Sequence, residues 1–358
     1  FSLNNTNNKK LFQSTLMLSF GKKIDIKEKN YGIAILRVLL AYMVVIDHFY
    51  DKGRKNKFLH ILYYHIPTFF LLSFFFTYNT FSKHNISKIK LRFERLLIPY
   101  ICWSMIAWII NNIYFYLLKK KCRHSLYDLF HNILNGHIFI LALWFQNILI
   151  LTTLVISIVV FFFNNQFLLI FYILIILSYI FQYSGENYYF FINHFSLYYY
   201  STYGRFFETL PNSLTGFFLA AFSIPNKLQK NKIRSLIISI IVLVFISSYK
   251  FKNDLLTFKY GGIRLNIASI CIFVIFFHLS SYLIINVKII KIIDIITNYT
   301  AGIYFLHYLL GKGYIMQIFL AKKIKTFFGC FVIYIISFVV CLLLDNLIGK
   351  TKFRHLIK

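Results

Sequence analysis

Arg37 and His48 are the side chains best suited to chemistry, and both lie in the apolar stretch YGIAILRVLLAYMVVIDHF at residues 31–49. Eleven residues of α-helix turn through about 1,100°, roughly three turns plus 20°, so both side chains share one face, about 16 Å apart along the axis. A guanidinium suits an anionic group, and an imidazole that titrates near neutral pH suits a proton acceptor. The pair predicts general-base chemistry beside an anion-binding group.

A second interpretation of this stretch stays open on the residues alone. An arginine at the centre of a span costs about 2.5–3.5 kcal/mol on insertion scales, and Arg37 can lower that cost by extending towards the interface. His48 would then be an interfacial histidine. Asp47 adjoins His48 in sequence but points about 100° away, so we expect it to orient another group or to lie among lipid headgroups.

A second candidate site is the basic segment KIKLRFERLLIPYICWSM at residues 88–105. Arg92 and Arg95 are three residues apart and share a helical face. Guanidinium groups bind phosphate through paired hydrogen bonds, so this cluster at a membrane entrance suits a phosphate-rich ligand. The alternative is an ordinary positively charged loop on the cytoplasmic side.

Three further residues are weaker candidates for substrate contact. Tyr100 lies just inside the span that follows the basic segment, Trp144 lies near the start of another, and His307 lies within an apolar run. A lone histidine there is more often a hydrogen-bonded packing residue than a catalyst. The chain has no GxSxG, Walker, GxGxxG or HExxH motif. We therefore predict no metal site and no permanently bound cofactor.

The elements that must position these residues are apolar helices. The chain has 358 residues, of which 59% are hydrophobic and 14% are charged, against roughly a quarter charged in soluble domains. Many apolar runs reach about 18–20 residues, which is enough to cross a bilayer. We predict an all-α polytopic transmembrane bundle with about ten spans, at residues 31–50, 61–82, 96–118, 137–162, 166–183, 206–225, 234–249, 263–287, 299–320 and 326–348.

The net charge of +28 arises mostly from Lys and Arg between the apolar runs. This placement predicts charges at a bilayer surface and argues against a nucleic-acid partner. Inside loops hold more Lys and Arg when both termini are cytoplasmic, so the positive-inside rule favours that orientation. We predict a cytoplasmic polar extension at residues 1–30, a membrane domain at 31–348 and a basic cytoplasmic tail at 349–358.

An ordered set of motifs resembles the membrane acyltransferase family 3, which includes bacterial O-acetyltransferases of surface polysaccharides. The opening stretch resembles that family's first helix, with Arg, ten intervening residues and His. Phe74 stands where the family usually has Gly, and we expect it to affect packing rather than chemistry. The other matching segments are HIPTFFLLSFFFTYNTFSK (65–83), RFERLLIPYICWS (92–104), LWFQNILIL (143–151), LTGFFLA (214–220) and AGIYFLHYLL (301–310).

The resemblance implies ten helices, acetyl-CoA or another acyl-CoA as the donor, and a glycan or glycolipid as the acceptor. It implies that His48 is the catalytic base, that Arg37 is its partner, and that Arg95, with Arg92 less strongly, contacts the CoA phosphates. The location would be the bacterial cytoplasmic (inner) membrane. The rival function is a transporter or flippase of a lipid-linked or anionic sugar. A polysaccharide polymerase is disfavoured because no long outer loop is expected.

Overall fold

The computed structural model describes residues 30–49, 64–117, 125–135, 143–163, 166–192, 205–248, 262–282, 286–311 and 327–348. Every regular element in these ranges is helical, and none of them contains a strand. The all-α prediction is therefore confirmed. The predicted cytoplasmic extension, apart from Asn30, and the predicted basic tail lie outside the described residues.

Thirteen α-helices and one short 3-10 helix make up the described part of the chain. They are α1 (Tyr31–Phe49), α2 (His65–Ser82), α3 (Ile86–Leu117), α4 (Leu126–Asn135), α5 (Leu143–Phe163), α6 (Phe167–Ile192), α7 (Arg205–Ala221), α8 (Ile224–Leu228), the 3-10 turn Gln229–Asn231, α9 (Lys232–Ser248), α10 (Ile263–Leu279), α11 (Val287–Asn298), α12 (Thr300–Gly311) and α13 (Phe327–Ile348).

Apolar length divides these helices into two groups. Five stretches are long and apolar enough to cross a membrane, namely Tyr31–Phe49, Ile86–Ile113, Leu143–Phe163, Ile224–Ser248 and Phe328–Ile348. A bent pair, Lys288–Asn298 with Thr300–Leu310, makes a sixth if it forms one span. Phe167–Gln182 and Ile263–Leu279 are apolar but shorter. The described residues thus form a helical membrane protein with five or six candidate spans, and the prediction of about ten is not confirmed.

The first helix, α1, lies at the centre of the bundle. It packs against α2, α10, α11, α12 and α13. Asn30 precedes α1, and its side-chain oxygen accepts a hydrogen bond from the Ile33 amide at 3.0 Å, which caps the helix start. A Cβ on Gly32 would lie 1.8 Å from the Phe276 carbonyl oxygen. Only glycine therefore permits this approach of α10 to α1.

A second close contact joins α2 and α7, which form the most extensive helix pair of the bundle. A Cβ on Gly216 of α7 would lie 2.1 Å from the Leu71 carbonyl oxygen of α2. Phe70 and Phe217 are fully buried beside this contact. Because α2 also packs against α1, the α2–α7 pair helps to fix the helix that carries Arg37 and His48.

Candidate active site

Arg37 and His48 both contact α12, as their shared helical face predicts. The Arg37 guanidinium donates from Nη2 to the Thr300 hydroxyl at 3.2 Å. The His48 ring is stacked on the His307 ring, with centroids 5.3 Å apart and planes inclined by 27°. Because both contacts follow the chain in the same order, α1 and α12 run parallel. The two candidate residues therefore occupy two levels of one helix–helix interface.

The residues between these two levels are slim and fully packed. Ala41, Val44 and Val45 are buried within the main hydrophobic core. Small side chains let neighbouring helices approach α1 closely, which brings the residues at either end into contact with α12. Tyr42, on another side of α1, meets the Tyr334 ring of α13 edge to face at 5.5 Å.

His307 is the weak sequence candidate that the structure brings to His48. Its side chain is fully buried, and Nδ1 lies 3.1 Å from the Ile303 carbonyl oxygen. Since a carbonyl can only accept, Nδ1 donates, and Nε2 of the neutral ring is an acceptor. Nε2 is buried without a hydrogen-bond partner among the described residues. A buried, unsatisfied ring nitrogen stacked on another imidazole is unusual for a residue that serves packing alone.

Aromatic rings and a third histidine surround the pair formed by His48 and His307. The Tyr308 ring lies edge-on to His48 at 5.6 Å, and the Phe49 ring lies edge-on to His307 at 6.1 Å. His65, at the start of α2, is buried and close enough to His307 for an electrostatic interaction. Sequence reasoning missed His65, although it opens the matching segment HIPTFF. In the described ranges, no three His, Cys, Asp or Glu side chains are grouped to hold a metal ion.

The break between α11 and α12 lies at the level of the interface where Arg37 contacts Thr300. The two helices are inclined by 63°. The Thr300 hydroxyl, which accepts from Arg37, donates to the Thr297 carbonyl oxygen at 3.0 Å. The Thr297 hydroxyl donates mainly to the Ile293 carbonyl oxygen at 2.6 Å, and the Ala34 carbonyl oxygen of α1 lies 3.5 Å from the same hydroxyl. Arg37 is therefore part of a hydrogen-bonded connection between α1 and the broken helix.

The last helix, α13, also forms a hydrogen bond at the junction between α11 and α12. The Tyr299 hydroxyl, at the junction of α11 and α12, donates to Asp345 Oδ2 of α13 at 2.6 Å. A charged acceptor shortens and strengthens such a bond. Sequence reasoning missed both residues, although an aspartate inside the final apolar run was a visible signal. Two helices thus fix the orientation in which α12 presents His307.

Arg92 and Arg95 differ sharply in their surroundings. Arg92 donates from Nε to the Thr153 hydroxyl at 3.2 Å and from Nη2 to the Ser73 hydroxyl at 3.0 Å. Its guanidinium also lies over the Phe74 ring, 4.9 Å from the centroid. Arg95 is exposed. Arg92 therefore links α2, α3 and α5, whereas Arg95 presents its charge outward.

Phe74, which departs from the family pattern, has a structural role through its contact with Arg92. A cation over an aromatic face is stabilised by the ring quadrupole. The phenyl group is completely buried, so it both fills space and supports the guanidinium. The phenyl ring, at the position where the family usually has Gly, thus packs against the Arg92 guanidinium.

Tyr100 and Trp144, two weak candidates for substrate contact, take part in contacts within the bundle. The Tyr100 hydroxyl donates to the Ile133 carbonyl oxygen and ties α3 to α4. The Trp144 ring is buried and lies under the Arg205 guanidinium at 4.6 Å. Asp47 is half-buried near the end of α1. None of these observations brings the three residues to the histidine pair.

Trp103 connects α3 to the helix that carries His307. Its ring is stacked on the Phe305 ring of α12, with centroids 5.9 Å apart and planes inclined by 19°. Arg95 precedes Trp103 by eight residues on α3, which is about 12 Å along the axis. A ligand that starts at Arg95 and follows α3 inward therefore approaches the level of the histidines.

Comparison with known protein families shows which family the chain belongs to. A family model described as an acyltransferase domain, that of acyltransferase family 3, matches residues 30–345. No curated protein and no solved structure matches the chain. The matched range includes Arg37, His48, Arg95 and His307, and it covers every described helix except the last three residues of α13. The chain belongs to acyltransferase family 3.

Proposed function

We propose that the protein is an integral membrane O-acetyltransferase that moves an acetyl group from acetyl-CoA to a hydroxyl of a cell-surface polysaccharide or glycolipid. The observation that carries this proposal is the stacking of His48 on His307 at the end of α1, in a chain of an acyltransferase family. An imidazole held in place by a neighbour can serve as the general base for acyl transfer to a hydroxyl.

His48 is the general base in this proposal. As the acceptor oxygen attacks the thioester carbonyl, the hydroxyl proton passes to the His48 imidazole. The new C–O bond forms, the C–S bond breaks, and the CoA sulfur leaves and takes the proton from the imidazolium. His307 positions the His48 ring through the stack. Arg37 holds α12 through Thr300, and it therefore acts on the His48–His307 stack through the position of that helix.

The donor binds at the entrance to α3 in this proposal. Arg95 is exposed and contacts the CoA phosphates, while Arg92 anchors α3 through Thr153 and Ser73. The arm that joins the phosphates to the thioester runs along α3 towards Trp103. We extend the proposal to ten spans, with both termini cytoplasmic, in the bacterial inner membrane. The basic segment at residues 83–95 then lies on the side where acyl-CoA is made.

An acetyl-transfer assay with His48 and Arg37 variants tests the proposal. Membranes that contain the full chain receive labelled acetyl-CoA and a crude glycan acceptor, and label in the glycan is measured. We expect His48→Ala to lower transfer by about 10²–10⁴-fold, the usual contribution of a positioned base. Arg37→Ala should also lower transfer. His131→Ala, which removes an imidazole on α4, is the matched control and should retain activity.

Two outcomes would contradict this function. Full transfer by His48→Ala would exclude His48 as the base. Absence of transfer to every acceptor tested, together with movement of a lipid-linked sugar across vesicles that contain the protein, would support a carrier. The two outcomes are separable because the first concerns one residue and the second concerns the reaction itself.

A further inference from the structure

An open groove of about 730 Å³ lies at the beginning of α9 and reaches Tyr282, beyond the end of α10. Its lining combines cationic and apolar side chains. The cations are Lys230, Lys232 and Arg234, and the apolar residues are Ile233, Ile237 and Ile238. The chain contains no acidic residue between Glu208 and Asp254. The sequence around this groove is therefore uniformly positive.

Two side-chain contacts connect the cationic side of the groove to the end of α10. Lys232 Nζ donates to the Ser281 hydroxyl at 3.3 Å. One turn further along α9, the Ser235 hydroxyl lies 3.0 Å from His278 Nε2, and both residues are buried. These contacts join the first turn of α9 to the end of α10. The groove is thus formed before any ligand arrives.

The apolar wall continues along α9 away from the cations. Ile237, Ile241 and Val244 are 50%, 60% and 58% exposed. Their spacing places them along one side of the helix. The stretch Ile224–Ser248 is apolar enough to span a membrane, yet only 6% of its 18-residue apolar window is buried within the part of the protein that the structure describes. This side of α9 is therefore available to lipid chains, with the cations at one end of it.

We infer that the groove binds an anionic phospholipid of the surrounding bilayer. The lipid phosphate contacts Lys230 and Arg234, and its acyl chains lie along the isoleucine side of α9. A free anion would use the cations but not the apolar wall, and a neutral lipid would use the wall but not the cations. Only an anionic lipid matches both. Arginine and lysine near a bilayer surface attract such headgroups, and the guanidinium binds phosphate through paired hydrogen bonds.

Native mass spectrometry of the full chain in detergent tests this inference, with phosphatidylglycerol and phosphatidylcholine as probes. We expect the wild type to retain one phosphatidylglycerol far more tightly than phosphatidylcholine. Lys230→Gln with Arg234→Gln should weaken phosphatidylglycerol binding by about 30-fold, from the usual contribution of two cations at a surface. The control is Lys288→Gln with Lys291→Gln, which removes the same charge from exposed positions of α11 and should leave binding unchanged.

Three results would overturn the inference. Equal affinity of the wild type for the two lipids would remove the headgroup selectivity. An equal loss in the α11 control would show a general charge effect rather than a site. Complete displacement of the lipid by inorganic phosphate at comparable concentration would indicate a simple anion site without a role for the apolar wall. Because the readout is lipid retention, none of these results depends on acetyl transfer.

Discussion

At the scale of single residues, the stack of His48 on His307 gives the candidate site its geometry. His48 lies at the end of α1 and is half-buried, whereas His307 is fully buried and fixed to the Ile303 carbonyl oxygen. The buried ring is a rigid support for the more exposed one. In the proposed reaction His307 is therefore a positioning residue, and His48, the ring that a substrate can reach, is the base.

Substitution of His307 separates its shape from its chemistry. We expect His307→Ala to lower kcat by about 10²-fold with little change in the KM for acetyl-CoA, since small displacements of a catalytic group cost about this much. His307→Phe keeps a ring against His48 and should recover most of the activity. Steady-state kinetics would check both. A kcat as low for Phe as for Ala would contradict the positioning role and assign the function to the imidazole itself.

Arg92 and Arg95 illustrate how two residues on one helical face take different roles. We expect Arg95→Gln to raise the KM for acetyl-CoA, increasingly so at low salt, with little change in thermal stability, because its charge is exposed. Arg92→Gln removes the bonds to Thr153 and Ser73 and should lower the melting temperature in detergent. The prediction would be contradicted if Arg92→Gln raised the KM at unchanged stability while Arg95→Gln had no effect. Arg92 would then be the residue that binds the donor.

At the scale of helices, two glycines permit the close helix contacts that position α1 and α2. We expect Gly216→Ala to destabilise the protein by about 1–3 kcal/mol, the usual cost of overpacking, because its Cβ would meet the backbone of Leu71 at 2.1 Å. Thermal unfolding in detergent would measure this effect. Ile241→Ala, on the exposed side of α9, is a suitable control with little expected change. A Gly216→Ala protein as stable as the wild type would show that α2 and α7 separate easily.

Sequence periodicity predicts the helices well but not their interruptions. The apolar stretch at residues 31–50 corresponds to α1, and that at 61–82 corresponds to α2. The predicted span 299–320, in contrast, starts at a break, where α12 follows α11 at an angle of 63°. The polar run TNYT at residues 297–300 accompanies this break, but its angle is fixed by contacts with α1 and α13. Those contacts involve distant parts of the chain, so no local pattern indicates them.

The candidate site shows the same limit. The placement of Arg37 and His48 on one face follows from helix geometry alone, but the sequence does not indicate that α12 is the helix they contact. The meeting of His48 with His307 could not be derived, because it depends on how two helices far apart in sequence pack. Phe74 is similar, since a departure from the family pattern was visible but its contact with Arg92 was not.

At the scale of the whole molecule, charge and apolarity are segregated. Cations gather towards the starts of helices, as in the first three turns of α3 and in the groove at the start of α9, whereas the interior is built from Phe, Ile, Leu and Val. The candidate active site interrupts this arrangement with three histidines and an arginine. Polar groups at such a depth are costly, so their presence marks the part of the bundle where function outweighs stability.

The connection between Arg37 and Thr300 has a consequence for how the protein is made. The two residues are 263 positions apart, and a ribosome adds about 5–20 residues per second. The first helix therefore enters the membrane roughly 13–50 seconds before its partner exists. During biogenesis the arginine must be accommodated by water, lipid headgroups or the insertion machinery. The candidate site is therefore completed only after residues 300–307 have been synthesised, and we expect shorter nascent chains to lack it.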